Sequence, residues 1–192
     1  MNQPISTQPS NLEELLALNQ PPVDAMVNAW LRQRGTGLTP DADTFDLVEI
    51  GQHLENAVRL CVEKEDTIIF RFVGPAVCGR LQSDPTGTNF LEQMGHLPFD
   101  GAATVQAGLS KPAGFHVVYR ITYKSGRHAE NQALYLPLIS RSSGCDHLLG
   151  MQTAGTTLGY ERETPTSISD RKLVTACWVD LGAGVPAISL LS

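Results

Sequence analysis

The chain has 192 residues, 42% of them hydrophobic and 18% charged, which are the proportions of an ordinary globular protein. The net charge of −6 and the lack of a basic stripe argue against nucleic acid as a partner. No apolar run approaches the roughly eighteen residues of a membrane-spanning helix, so no membrane partner is predicted. One domain with extensions fits this length.

The N-terminal segment has neither the basic start nor the apolar stretch of a secretory signal, which predicts a cytoplasmic protein. Its four cysteines are far apart and form no CxxC pair: Cys61, Cys78, Cys145 and Cys177. Without an export signal, four reduced thiols are expected rather than two disulfides.

Residues 1–11 are polar and predicted to be flexible, and Asn11 is placed to cap a short helix over residues 12–18. A second helix is predicted over residues 23–33, because apolar side chains recur there at three- and four-residue spacings. The stripe consists of Val23, Met26, Val27 and Trp30. It could pack on the chain's own sheet, or it could meet a second copy or another partner in an interface. The apolar segment 173–181 is the rival interface.

Helical turns follow around Leu47, Ile50 and Leu54, and alternation then predicts strands over residues 58–63 and 68–73. Arg71 in the second strand is expected to pair with a carboxylate of residues 41–49. Short helices over residues 76–81 and 87–95 lead to strands over 115–123 and 128–138 and a fifth over 147–153. This order predicts an α+β fold, with one antiparallel sheet and helices packed against one face.

The two longest strands flank Ser125 and Gly126, which predicts a tight hairpin. If these two residues form the whole loop, His128 pairs with Tyr123 and Gln132 with Tyr119, all on one face. His128, Glu130 and Gln132 would then form a polar cluster beside the core, as in a ligand cavity. The alternative is that the hairpin end projects into solvent.

Several motifs, in order, cover residues 26–152. They are Trp30…Arg34-Gly35, Pro40-Asp41-Ala42-Asp43, Phe70-Arg71-Phe72-Val73-Gly74, Asp84-Pro85-Thr86-Gly87-Thr88-Asn89-Phe90, Leu136-Pro137-Leu138 and Leu149-Gly150. In this the chain resembles a family of small, mostly stand-alone PAS-type domains of alphaproteobacteria. The resemblance implies a five-stranded antiparallel sheet with helices on one side of a pocket. It divides the chain into an N-terminal extension (1–22), a PAS-like domain (23–153) and a C-terminal extension (154–192).

The resemblance implies a non-enzymatic sensory or adaptor module that binds an unknown small molecule, a protein signalling partner or both, and that forms a homodimer. The candidate cavity residues are Phe72, Met94, His96, Tyr119, His128, Glu130 and Gln132. Two other functions stay open at this point. One is a small α+β enzyme that uses His128 and Glu130 as acid and base, and the other is a structural adaptor without a ligand.

The sequence argues against the cofactors that PAS domains use as sensors. Flavin photochemistry needs a cysteine beside the Asn of the Gly87-Thr88-Asn89 motif, where this chain has Phe90. Haem needs an axial ligand, for which His96 is the nearest candidate, and a lone histidine is more often a surface residue. Cys145-Asp146-His147 is interpreted as a loop rather than a metal or catalytic site, because adjacent strand residues point to opposite faces.

Overall fold

The computed structural model describes residues 9–81, 83–94, 99–124, 126, 128–142, 144–153 and 168–190. The helices are α1 (Leu12–Leu16), α2 (Pro21–Arg34), a 3-10 helix (Leu47–Asn56), α3 (Pro75–Leu81), α4 (Phe90–Met94) and α5 (Gly101–Ser110). The strands are β1 (Ala57–Lys64), β2 (Thr67–Val73), β3 (Ala113–Tyr123), β4 (His128–Leu138), β5 (Asp146–Thr153) and β6 (Ile168–Asp180). The flexibility predicted for the N-terminal residues concerns mainly 1–8, which lie outside the described residues.

Local sequence signals account for the bounds of the N-terminal helices. The Asn11 side chain accepts a hydrogen bond from the amide of Glu14, which caps α1 as predicted. Prolines at the first two positions of α2 lack the amide hydrogens that a helix start leaves without partners. Gly35 ends α2 with a φ of 58°, a backbone conformation that glycine adopts readily.

The six strands form one antiparallel sheet in the order β2-β1-β5-β4-β3-β6. The five predicted strands are present, and the predicted α+β class with an antiparallel sheet is confirmed. The sixth strand comes from the C-terminal extension and pairs with β3 along its length. The apolar segment 173–181, predicted as the rival interface, is thus largely part of this edge strand, with Ala176 and Val179 buried in the chain's own core.

Alternation along the strands divides the core into two layers, one on each face of the sheet. The N-terminal layer packs α1, α2 and the 3-10 helix against Leu134, Leu136 and Leu149. The opposite layer packs α3, α4 and α5 against residues such as Ala133 and Tyr135. Helices therefore cover both faces of the sheet, since α1, α2 and the 3-10 helix occupy the face that α3, α4 and α5 leave open.

The apolar stripe of α2 lies inside the N-terminal layer, which corrects its assignment as an interface. Val23 is 4% exposed, and Met26, Val27 and Trp30 are 0% exposed. Trp30 Nε1 also donates a hydrogen bond of 2.9 Å to the carbonyl oxygen of Pro137 in β4. These side chains cover the chain's own sheet, so a homodimer would have to use another surface.

The hairpin between β3 and β4 has a different register from the one predicted. His128 pairs with Thr122 and Gln132 with Val118, so five residues instead of the predicted four separate His128 from its partner in β3. When one strand shifts by one residue, each of its side chains lies beside residues of the neighbouring strand that point to the other face of the sheet. Tyr119 therefore points away from Gln132 and pairs with Asn131.

Among the described residues, no helix is long and apolar enough to cross a lipid bilayer.

Candidate functional site

A disulfide joins Cys61 of β1 to Cys145, the residue immediately before β5, with Cα atoms 6.1 Å apart. The prediction of four reduced thiols is therefore wrong for this pair. The pairing of the strands explains this disulfide, because Cys61 lies opposite His147 in the β1–β5 ladder. Cys145 is two residues before His147 and on the same face of the sheet, so its sulfur lies within bonding distance of the Cys61 sulfur. Cys78 and Cys177 are free and half-buried.

His147 lies against the disulfide, and its ring nitrogens have different partners. Nε2 is 3.2 Å from the Cys145 sulfur, and Nδ1 accepts a hydrogen bond of 2.7 Å from Arg59 Nε. Because Nδ1 accepts, the proton of the neutral ring belongs on Nε2, pointing at sulfur. Burial, followed by the charges of Arg59 and Arg71, lowers the pKa of His147 to about 4.

The loop that carries Cys145 is tied to the turn after α2 by a serine–aspartate cluster. The Asp43 carboxylate accepts hydrogen bonds from the hydroxyls of Ser140, at 2.8 Å, and Ser142, at 2.9 Å. These two hydroxyls hold the pKa of Asp43 below its usual value. Arg59 donates to the carbonyl oxygen of Ala42, which connects the same turn to His147.

The disulfide opens onto a surface pocket of about 520 Å³ lined by Cys61, Val62, Glu63, Arg71, Gly144, Cys145 and Asp146. Its rim carries an ion pair between Arg71 and Glu63. Arg71 was predicted to pair with residues 41–49, but antiparallel pairing of β1 and β2 places Glu63 of the neighbouring strand closer. Both cysteines of the disulfide therefore line this pocket.

Three potential metal ligands meet here, since donor atoms of Cys61, Cys145 and His147 lie within 4.8 Å of one another. Two features disfavour a cation. The two sulfurs are joined to each other in the disulfide. Arg59 donates to Nδ1, so the ring proton is on Nε2 and neither nitrogen offers a free lone pair to a metal ion. The arrangement suits thiol–disulfide chemistry better than metal binding. The convergence of Cys145 and His147 also corrects the loop interpretation, while Asp146 turns away and accepts from the Ser140 amide.

The depressed pKa of His147 makes stability depend on pH. In the unfolded chain the ring titrates near its ordinary value of 6.5, whereas the folded protein resists protonation until about pH 4. The stabilisation is therefore complete above pH 6.5 and is lost as the pH falls towards 4. Since the ring is only half-buried, we expect a loss of about 1 kcal/mol.

Urea unfolding at about pH 7 and about pH 4.5 measures this effect. The control is His147→Gln, which lacks a titrating ring and should lose less stability between the two conditions. An equal loss in both proteins would contradict the assignment.

The described members of the predicted cavity do not lie together. Gln132 faces the N-terminal layer, where its Oε1 contacts Gln20 Nε2 at 3.0 Å and His116 Nε2 at 3.2 Å. Phe72 also packs against that layer, whereas Tyr119 is on the opposite face. Only the backbone of Met94 is described, at the end of α4, and His96 lies outside the described residues.

The hairpin face that carries His128 and Glu130 is solvated near the loop, which contradicts the closed cavity that an acid–base pair would need. Glu130 forms an ion pair of 2.7 Å with Arg120, and both side chains are more than 40% exposed. His128 is exposed and contacts the Thr122 hydroxyl at 3.1 Å. His116 is the buried histidine of this hairpin, 3% exposed, and burial lowers its pKa. A correct register would have placed it beside Gln132.

Between the sheet and α3–α5 lies a set of contacting rings, here called the aromatic layer, made of Phe70, Phe90, Phe99, Phe115, Tyr135 and Trp178. Phe90 meets Phe70 and Tyr135 edge-on, with centroids 5.6 Å apart in both pairs. Phe115 continues the layer to Trp178 at 5.8 Å. Burial raises the pKa of Tyr135, whose hydroxyl is hydrogen-bonded to Gln152.

One of the comparisons with known proteins identifies a family for this chain. No curated protein and no solved structure matches the chain significantly. A model of the PAS domain family matches residues 18–153, which include α2, the five strands β1 to β5 and the helices between them. The chain therefore belongs to the PAS domain family, whose members are generally non-enzymatic sensory and signalling modules.

Proposed function

We propose that the chain is a non-enzymatic, cytoplasmic signalling module that binds a small apolar molecule in the aromatic layer and reports its presence to a protein partner. The observation that carries the proposal is the aromatic layer itself. Its rings form apolar walls between the sheet and the helices α3 to α5, and the Tyr135 hydroxyl adds one polar group. Pockets for small molecules have this composition of apolar walls with few polar groups.

The structure also supports a route by which such a ligand could enter. Phe90 belongs to α4, a helix of only five residues, and helices this short depend on tertiary contacts for their stability. Movement of α4 would open the layer at low cost, because few backbone hydrogen bonds break. A ligand that fits better with α4 displaced then shifts the module between two conformations by its difference in affinity for them.

Native mass spectrometry of freshly purified protein tests the proposal, with a denatured sample and an absorption spectrum beside it. We expect extra mass that disappears on denaturation. Phe90→Ala should reduce the bound fraction. Phe72→Ala is the matched control, because it removes the same ring from the opposite layer and should leave the bound fraction unchanged.

If the native mass of the wild-type protein equals that of the polypeptide alone, ligand binding is contradicted. That result would favour the second candidate, an adaptor without a ligand. The contacts among the aromatic rings support that candidate, because the rings already fill much of the layer for one another. The same spectra report whether the protein forms the proposed homodimer.

A further inference from the structure

We propose that Cys61 and Cys145 are a redox-responsive pair, in which Cys145 is the reactive thiol and Cys61 resolves it into the disulfide. The two sulfurs differ in access: Cys61 is 1% exposed, whereas Cys145 is half-buried in the loop at the mouth of the pocket. An incoming reagent therefore reaches Cys145 first. The redox chemistry is independent of the proposed signalling function, and only the effect of oxidation on signalling rests on that proposal.

The neighbours of Cys145 would stabilise its thiolate when the disulfide is reduced. His147 directs its Nε2 proton at this sulfur over 3.2 Å, and Arg59 holds the ring in that tautomer. Arg59 and Arg71 add positive charge near His147. A hydrogen-bond donor and nearby cations favour the thiolate, which is the reactive form of cysteine.

The two free cysteines lie in surroundings that disfavour the thiolate, and they serve as internal references. Burial raises the pKa of the Cys177 thiol to about 11. Burial, with the charge of Asp84, raises the pKa of the Cys78 thiol. Cys177 also lies near a histidine, but its sulfur is 4.0 Å from His116 Nδ1, and no arginine is among the causes of its pKa shift or that of Cys78. Both thiols should therefore react slowly.

The chemistry is thiol–disulfide exchange with a low-molecular-weight disulfide such as oxidised glutathione. The Cys145 thiolate attacks one sulfur of the reagent, which forms a mixed disulfide and releases one glutathione thiolate. The Cys61 thiolate then attacks the Cys145 sulfur and releases the second glutathione. Two cysteine thiols and one glutathione disulfide become one protein disulfide and two glutathione thiols, with two electrons transferred. Excess glutathione thiol reverses the reaction.

Oxidation would act on the N-terminal helices through the loop at 140–145. The disulfide fixes this loop to β1, and the loop serines bind Asp43 in the turn after α2. The preceding residue, Ala42, is fully buried in the N-terminal layer, which also contains Trp30. A change at the disulfide can thus reach the N-terminal layer through these contacts. In a cytoplasmic glutathione pool the pair would be reduced until oxidant rises.

The first experiment measures alkylation of the fully reduced, folded protein by iodoacetamide, followed by peptide mass spectrometry. We expect Cys145 to react about tenfold faster than Cys177 or Cys78, as a stabilised thiolate should. His147→Phe should remove most of that advantage, while His147→Gln, which keeps an N–H donor, should retain part of it. The rate at Cys78 in α3 should not change and reports that the fold is intact. Equal rates for Cys145 and Cys177 would overturn the proposal.

The second experiment exposes the reduced protein to oxidised glutathione. The wild-type chain should proceed to the Cys61–Cys145 disulfide, whereas Cys61→Ala should stop at a glutathionyl adduct on Cys145. A persistent adduct on the wild-type chain would overturn the resolving role of Cys61. A tightly held zinc ion that protects both thiols would overturn the redox assignment in favour of a metal site. Neither readout depends on a ligand in the aromatic layer, so the two proposals fail separately.

Discussion

Replacing Trp30 with alanine is expected to lower the free energy of unfolding by about 4 kcal/mol, because the substitution leaves a large cavity in the N-terminal layer. The indole is fully buried and packs α2 onto the sheet. Its loss also leaves the carbonyl oxygen of Pro137 without the indole donor in a buried position. Urea unfolding followed by circular dichroism measures the change.

Trp30→Phe is the matched control, since it keeps most of the buried ring and removes the Nε1 donor. It should cost about 1–3 kcal/mol, the range for an unpaired buried acceptor. If Trp30→Ala altered only self-association and left the stability of the monomer unchanged, the assignment of this stripe to the intramolecular core would be contradicted.

Gly74→Ala is expected to destabilise the fold by about 3 kcal/mol, the upper part of the usual range for overpacking. Gly74 joins β2 to α3, and its amide donates a hydrogen bond of 2.8 Å to the carbonyl of Ala57. A Cβ here would lie against the backbone of Glu55 and within 2.5 Å of the carbonyl oxygen of Leu54. These are backbone atoms at the end of the 3-10 helix, so the clash cannot be relieved by rotating a side chain.

Gly79→Ala, five residues further along in α3, is the control for the same chemical change. A Cβ there meets nothing within 4 Å. Alanine forms helix better than glycine, so this variant should be more stable than wild type by about 0.5–1 kcal/mol. Thermal unfolding of both variants beside the wild type gives the comparison. Similar shifts for the two variants would show that crowding at Gly74 does not determine the effect.

Local patterns were sufficient to predict most elements of the fold. The apolar spacing of α2, the alternation of β1 and β2 and the caps at Asn11 and Gly35 act over a few residues, and the structure contains all of them. Periodicity shows that a helix has one apolar face, but it does not show what covers that face. For this reason the stripe around Trp30 could equally have been an interface.

The candidate site was harder to predict because it depends on how strands are paired. Ser125 and Gly126 suggested a two-residue loop, but the actual pairing shifts β4 by one position, which separates Tyr119 from Gln132. The disulfide joins residues 84 positions apart. Only the β1–β5 ladder brings Cys61 beside His147, and nothing local to either segment indicates that pairing.

The β1–β5 ladder also has a consequence for the order in which the sheet assembles. β1 with β2, β3 with β4 and β4 with β5 are each neighbours in sequence, and closing their short loops costs little chain entropy. The β1–β5 ladder instead joins the N-terminal hairpin to the later strands across a much longer stretch of chain. Chain entropy favours forming the hairpins first and this seam afterwards. The Cys61–Cys145 bond crosses this seam. The redox state of these two sulfurs therefore determines whether a covalent cross-link holds β1 against β5, or hydrogen bonds and packing alone.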